Sequence, residues 1–262
     1  MAEKRAAIRL SVVITVYSEE TALQETIQRL MLNDRGYIHE IILIVAPLSS
    51  TRCIEICRAL TAENARVKFL LQRQPGVGHA LREGLAAAAG DYVAIMSADL
   101  ETEPEAVDRM MRKIEQTGCR AVFANRWMAG GGFQNYHPLK LVLNWLFQNL
   151  FKRIYVTEVG DLTFGFKILK KDLVEAISWK GTRHEIFIET TLKPILLNAS
   201  IDQVPTVWTG RMEGFSKNSF YINCRYVWLA LKLARHVPAR IRQRRRKSRQ
   251  RHGHSRQKRH EI

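Results

Sequence analysis

No stretch of about 18 uncharged apolar residues occurs in this 262-residue chain, so nothing in it reads as a simple bilayer-spanning helix. Cysteine is scarce as well. Four of them (Cys53, Cys57, Cys119 and Cys224) are too few for a disulfide scaffold, and no second pair or histidine cluster completes a zinc site. Cys53 and Cys57 stand four apart, on one face of an expected helix, and read as reduced thiols of a cytosolic protein. Met1-Ala2-Glu3-Lys4-Arg5 runs almost at once into a strand-like segment, which leaves no room for a signal peptide. Internal repeats are absent, as is any flexible linker before residue 238. The expectation is one catalytic domain plus a tail, soluble or peripheral to a membrane.

Acidic residues are also in deficit: 41 Lys/Arg face 25 Asp/Glu, a formal net charge of +16. Eleven of those cations and one acid fall in residues 239–262, so ten of the sixteen positive charges sit in that segment. The mildly basic body suits an anionic substrate, and the tail is a separate electrostatic feature. The tail has no interleaved aromatics on which bases could stack, so no specific nucleic acid is expected as a partner.

What is present alternates between two periods. Leu10 to Val16 (LSVVITV), Ile41 to Val45, Val67 to Leu71 and Tyr92 to Met96 are β-branched or apolar runs of strand length. Between them Glu19 to Leu32, Ser50 to Leu60 and Gly78 to Ala89 read as helices, the last stopped by Gly90. Such alternation with short connections predicts an α/β fold, a parallel doubly wound sheet with ligands at the carboxyl ends of its strands. A helix over Glu105 to Thr117 and a strand over Ala121 to Ala124 follow, then the loop Gly130-Gly131-Gly132. Leu139 to Phe151 is amphipathic and aromatic, either a packing helix or the wall of a groove for a greasy acceptor. From Asp161 onward short strands and loops are expected, ending near Val204-Pro205.

Four segments carry chemistry. Val13 to Glu20 (VITVYSEE) takes a strand into a helix, placing Tyr17 and Glu19 at the edge of the ligand crevice. Glu19 is there either to bind a ligand or as an acid favoured at a helix N-terminus. In Gln74-Pro75-Gly76-Val77-Gly78, Gly76 and Gly78 let the backbone turn tightly and come close to a ligand or to another element. Ser97-Ala98-Asp99-Leu100-Glu101 ends a buried strand, and in an extended segment positions 97, 99 and 101 share one side. Asp99 is the candidate metal carboxylate and Glu101 a possible second ligand. Finally, Asp161-Leu162-Thr163-Phe164-Gly165-Phe166-Lys167 and Arg211-Met212-Glu213-Gly214-Phe215-Ser216-Lys217 supply an acid and several cations. The planar fork of Arg211 and the point charge of Lys217 both suit phosphate oxygens.

In order and spacing these segments resemble family-2 glycosyltransferases, especially the polyprenyl-phosphate (dolichol-phosphate) mannose synthases, over Leu10 to Lys217. The matching patterns are Tyr-Asn-Glu, Asp-Ala-Asp-Leu-Gln, Asp-x-Thr-Ser-Gly-Phe-Arg and Arg-x-x-Gly-x-Ser-Lys, the last being the most specific. The resemblance implies a GT-A (Rossmann-like) fold with a single, mostly parallel sheet flanked by helices. It implies transfer of a sugar from a nucleotide-sugar donor to a polyprenyl-phosphate or related lipid acceptor, with inversion and a divalent metal (Mg or Mn). Tyr17, Glu19, Gly76, Gly78, Asp99, Arg126, Arg211, Ser216 and Lys217 are then the donor-binding set. Asp99, Asp161, Arg211 and Lys217 are the catalytic set, and Asp99 and Glu101 the metal ligands. Arg126, in Asn125-Arg126-Trp127, resembles the family's Ser-Arg-Tyr and is a phosphate-contact candidate. Asp161 falls on the acceptor side.

The pattern also departs from the family. Val45-Ala46-Pro47-Leu48-Ser49 lacks the acid that usually reads the base, Ser97 replaces the first metal-motif Asp, and Lys167 stands where Arg is frequent. The expected organisation is a GT-A catalytic domain over residues 1–217, an amphipathic interfacial helix over 218–238 and a basic tail over 239–262. Phe220, Cys224, Val227 and Leu231 form the apolar stripe of that helix, with Arg225, Lys232 and His236 in another sector. The tail is expected to meet an anionic membrane surface, on its cytoplasmic face. The alternatives are a GT-A enzyme with a saccharide or other acceptor, or a non-catalytic relative with an anionic-lipid or RNA-binding tail.

Overall fold

A β-branched run buried on both faces has only one stable home, the middle of a covered sheet. The computed structural model, which describes residues 8–210 and 220–237 without the side chains of 220–224, puts β1 (Leu10–Val16) there. With β2 (Ile38–Val45), β3 (Val67–Leu71), β4 (Tyr92–Ser97), β5 (Ala121–Asn125), β7 (Lys167–Lys170) and β8 (Ile201–Pro205) it forms a seven-stranded sheet. The strand order is β3-β2-β1-β4-β7-β5-β8. Every neighbouring pair is parallel except those of β7, which runs antiparallel to both β4 and β5. A second sheet, not anticipated from the sequence, pairs β6 (Gly132–Gln134) with β9 (Val207–Thr209).

Successive β1 residues divide between two cores, as the period of a strand requires. Val12 and Ile14 pack among residues of α1 (Thr21–Leu32), α2 (Thr51–Glu63) and α4 (Ala106–Thr117). Val13 points the other way, toward α3 (Val77–Ala87) and α7 (Ile186–Leu196). On that second side α5 (Pro138–Tyr155) contributes Phe151 and Tyr155, and α8 (Phe220–Ala234) contributes Ala230. The Tyr155 hydroxyl donates to the Ala230 carbonyl at 2.7 Å and joins those two helices. Cys53, Cys57 and Cys119 are buried free thiols.

Three expectations are corrected. The region after Asp161 is not only strands and loops: it contains α6 (Lys171–Glu175) and the 11-residue α7. α7 hides from propensity because Ile186, Ile188, Thr190 and Thr191 favour strands and Pro194 opposes helix, yet burial of nearly the whole element overrides both. Gly90 does not stop α3, whose C-cap is Ala88 in extended geometry. A Cβ on Gly90 would lie 2.7 Å from the Ser11 nitrogen, so this glycine admits close approach to β1. Arg225 does not share an open sector with Lys232, because its guanidinium meets the Glu185 carboxylate at 2.5 Å.

Candidate active site

The strand order reverses direction at β1, with β2 on one flank and β4 on the other, and crevices for ligands open at such switch points. Register places Thr15 beside Ser97, so the loops leaving β1 and β4 emerge together. On the β1 side Tyr17 is 39% exposed. One Glu19 oxygen accepts from the backbone N–H groups of Tyr17 (2.8 Å) and Ser18 (3.1 Å), tightening the turn before α1. Ser50 caps α2 by accepting from the Cys53 N–H, and its hydroxyl donates to Glu20. These contacts clamp the β1 and β2 exits to each other, and Leu48, 78% exposed, stands on the β2 exit just past Ala46 and Pro47.

On the β4 side Asp99 is buried, with 1% exposure. The segment is not extended as expected: Leu100 takes the left-handed conformation (φ 54°), uncommon for a residue with a branched side chain. That turn is held by a chain of local bonds. Ser97 Oγ accepts from the Asp99 N–H at 3.4 Å, and Asp99 Oδ1 accepts from the Glu101 N–H at 3.2 Å. One Glu101 carboxylate oxygen accepts from the Trp208 indole at 3.0 Å, and the Glu101 carbonyl from the Thr209 N–H at 2.9 Å. A bridge between Thr102 and Trp208 completes the seam. β9 is therefore bound along the Asp99–Glu101 turn, with Thr209 held against Glu101 and Gly210 against Gln134. Arg211, Ser216 and Lys217 lie outside the described residues.

Behind this seam lies a buried ion pair. Arg126, just past β5, donates from Nε to Asp161 Oδ2 at 2.7 Å and from Nη2 to Asp161 Oδ1 at 3.0 Å. Its plane faces Phe164 at 4.3 Å and Phe133 at 4.9 Å. Burial alone would raise the Asp161 carboxyl, but the Arg126 charge and hydrogen bonds outweigh it and hold Asp161 below its ordinary range. Arg126, expected as a phosphate contact, turns its fork inward onto Asp161 in this arrangement. Gln148, on the inner side of α5, donates to Asp161 Oδ1 (3.0 Å) and accepts from the Leu162 N–H (2.7 Å). From the pair, Trp127, Phe133, Tyr136 and Trp208 stack in succession at 4.8–5.0 Å toward Glu101.

Lys167 opens β7, opposite Ile95 of β4 and Phe123 of β5. It is wholly buried, and Nζ donates to the Phe187 carbonyl (2.7 Å) and Thr190 Oγ1 (2.9 Å). Burial, against the favourable charge of Asp161, brings its pKa down to about 7. No carboxylate is in salt-bridge contact with it among the described residues.

Gly76 and Gly78, expected to let the backbone approach a ligand or another element, lie against another element. A Cβ at Gly76, which has φ +111°, would lie 2.5 Å from the Thr182 carbonyl oxygen, and one at Gly78 would lie 2.4 Å from the Thr182 carbonyl carbon. The Gly78 N–H donates to the Thr182 carbonyl at 3.2 Å. The close approach that these glycines allow is to the chain's own loop, not to a ligand.

Sequence reasoning missed Gln148, Trp208 and the aromatic succession. Gln148 left a trace: it follows Asn144 by four in the middle of an apolar and aromatic helix, the mark of a polar inner face. Trp208 left none, because its partner lies 107 positions away.

A divalent ion needs oxygen donors, and a diphosphate brings its own, so one or two protein carboxylates suffice. Among the described residues no group of three or more His, Cys, Asp or Glu side chains gathers to hold a metal. Asp99 and Glu101 at a strand end nevertheless fit the sparse set that a diphosphate-bound Mg or Mn requires.

Comparison with known proteins agrees with this architecture. Residues 11–178 match the model of the family described as glycosyl transferase family 2. A dolichol-phosphate mannosyltransferase of Pyrococcus furiosus is 25% identical over 213 residues, which is 80% of this chain and 59% of that protein. The chain thus spans about three-fifths of the length of that relative. Among solved structures, glucosyl-3-phosphoglycerate synthase of Mycobacterium tuberculosis, in complex with Mn2+, uridine diphosphate and phosphoglyceric acid, superposes with a TM-score of 0.63. It shares 22% identity over 88% of this chain and 80% of its own. A further mycobacterial protein gives a TM-score of 0.65 at 19% identity, with coverage of 88% and 76%. At these identities the two structures speak for the GT-A fold alone.

Proposed function

This chain belongs to glycosyl transferase family 2, and on that premise we propose that it transfers a hexose from a nucleotide diphosphate sugar to a polyprenyl-phosphate-type lipid, with inversion. The observation that carries the reading is the placement of Asp99. It is buried at the switch-point end of β4, in a turn tied on one side to Ser97 and on the other to β9. The P. furiosus relative supports the lipid phosphate as acceptor.

Asp99, with Glu101, would hold a divalent ion, which supplies positive charge to the leaving diphosphate when bound. Tyr17 and Glu19 border the donor side, where Ala46 and Pro47 stand in place of the family's acids and the exposed Leu48 follows them. Arg211, Ser216 and Lys217 are proposed to grip the phosphates, since planar and point cations stabilise charge that grows in the transition state. A phosphate acceptor is already ionised near neutral pH, its second pKa being about 6, and so needs no general base. The protein's task is then alignment of acceptor oxygen, anomeric carbon and leaving oxygen. Asp161 and Arg126, neutralising each other, build a fixed floor for that alignment on the acceptor side.

A second reading has one observation in its favour. The structural neighbour is described in complex with phosphoglyceric acid, a small soluble phosphate. A panel of nucleotide sugars offered with short-chain polyprenyl phosphate, free polyprenol and phosphoglycerate separates the two. Product on polyprenyl phosphate alone is expected. Product confined to phosphoglycerate, or to an unphosphorylated acceptor, would overturn the lipid-phosphate assignment.

A further inference from the structure

α5 is amphipathic the wrong way round for a helix facing water. Its inner side carries Gln148, Phe151 and Tyr155, buried. Leu139, Val142, Leu143, Leu146 and Leu150 recur at i, i+3, i+4, i+7 and i+11, a single stripe on the side away from Gln148, and each is 51–61% exposed. α8, joined to α5 through Tyr155 and Ala230, exposes Val227, Trp228 and Leu231. Isolated exposed leucines call for no explanation, but a contiguous stripe of them marks a surface that is covered in use.

Charge identifies the cover. Neither α5 nor α8 contains a single Asp or Glu. α5 has Lys140 in its first turn and Lys152 and Arg153 in its last, and α8 has Lys232, whose ammonium lies 4.8 Å over the Trp228 ring. Residues 239–262, which follow α8, add eleven Lys/Arg. A second copy of this chain, related by a two-fold axis, would set these cations against themselves. An anionic bilayer matches both features at once: its acyl boundary takes up the leucine stripe, and its headgroups meet the cations. The helix lies along such a surface rather than crossing it, since no helix among the described residues is long and apolar enough to span.

We infer that the outer face of α5, with α8 beside it, is a docking surface for an anionic bilayer. The basic tail adds to this surface and does not replace it. Docking deepens the lipid-acceptor reading, because the helix that meets the bilayer also contacts the Asp161–Arg126 floor through Gln148. It does not depend on that reading for its test.

The test is co-sedimentation of the full-length chain with vesicles of phosphatidylcholine mixed with phosphatidylglycerol and with vesicles of phosphatidylcholine alone, without donor or acceptor. Binding to the mixed vesicles is expected, with much weaker binding to phosphatidylcholine. The double variant Leu143→Glu, Leu146→Glu is expected to partition at least ~10-fold more weakly, as removal of two buried leucines would cause. Both positions are solvent-facing, so circular dichroism and thermal unfolding should match the parent. Undiminished binding by a folded double variant assigns attachment to the tail alone and overturns the proposal. So does a parent that sediments as a dimer which the double variant disperses, since a second copy then covers the face. Because neither donor nor acceptor is present, failure here leaves the transfer assay with soluble short-chain acceptor to judge the chemistry independently.

Discussion

Arg126 meets Asp161 in a two-pronged pair, Nε to Oδ2 at 2.7 Å and Nη2 to Oδ1 at 3.0 Å, with the two side chains 7% and 0% exposed. Removing one partner of such a pair strands the other charge in a medium that cannot solvate it. Asp161→Asn keeps the shape and leaves Arg126 unpaired, so a loss of about 3–5 kcal/mol is expected in urea denaturation at pH 7. The pH dependence has a definite sign. Asp161 titrates below its ordinary value of 3.8 in the folded protein. Its contribution is therefore present above that value and lost as pH falls through the lower folded one. The parent should lose stability more steeply below about pH 4 than Asp161→Asn does.

Lys167 behaves in the opposite sense. Its folded pKa of about 7 lies under the ordinary 10.5. Below about pH 7 both states carry the proton and the full cost of burying an ammonium is felt. Between about pH 7 and the ordinary value the unfolded chain holds the extra proton, so stability rises with pH. Lys167→Met should abolish that rise and leave the protein at least as stable as the parent at pH 6. Chemical denaturation at pH 6 and pH 9.5 measures both effects. A flat pH profile in the parent would contradict the buried, uncompensated ammonium.

Gly78→Ala brings a Cβ to 2.4 Å from the Thr182 carbonyl carbon, and neither backbone segment gives way easily. A cost of about 1–3 kcal/mol is expected, in line with overpacking elsewhere. Donor affinity of the folded fraction should change little, because these glycines face the chain's own loop. A selective loss of nucleotide binding at full stability would restore the ligand-contact role.

Gln148→Leu preserves volume and removes one of the donors to Asp161 Oδ1, which keeps Arg126, and the acceptor of the Leu162 N–H. Leaving the buried Leu162 N–H unpaired should cost about 1–3 kcal/mol in thermal or urea unfolding. Vesicle binding by the folded variant should persist, since the altered side chain lies on the inner side of α5.

The sheet was legible because its central strands are buried on both faces, and its edge strand β3 still reads as an apolar run. Leu10–Val16 and Val67–Leu71 were read with their observed bounds, and the helix ends at Leu32 and Thr117 likewise. What stayed hidden depends on partners far along the chain. β6 and β9 are three residues each and exist only as a pair, and α7 is a helix by virtue of burial rather than propensity. In the site, Asp99 could be singled out because its motif is local, and it lies buried just past the end of β4. Arg126 and Asp161 were both singled out, but nothing in their 35-residue separation announces that they hold each other. Gly76 and Gly78 were recognised as points of close approach with the neighbour left open, since sequence shows that a side chain is missing and not what fills the space. Arg211 and Lys217 lie outside the described residues and rest on the sequence pattern.

The account stands most directly on the carboxylate at the end of β4. Steady-state transfer from the preferred nucleotide sugar to short-chain polyprenyl phosphate, with Mn2+ or Mg2+ and with EDTA, should be compared for the parent and Asp99→Asn. Loss of one metal carboxylate is expected to lower turnover by at least ~100-fold, as removal of a single group that stabilises transition-state charge does elsewhere, while the protein stays folded. EDTA should reduce the parent to the same level. Parent-like turnover by a folded Asp99→Asn variant would contradict the assignment of this site.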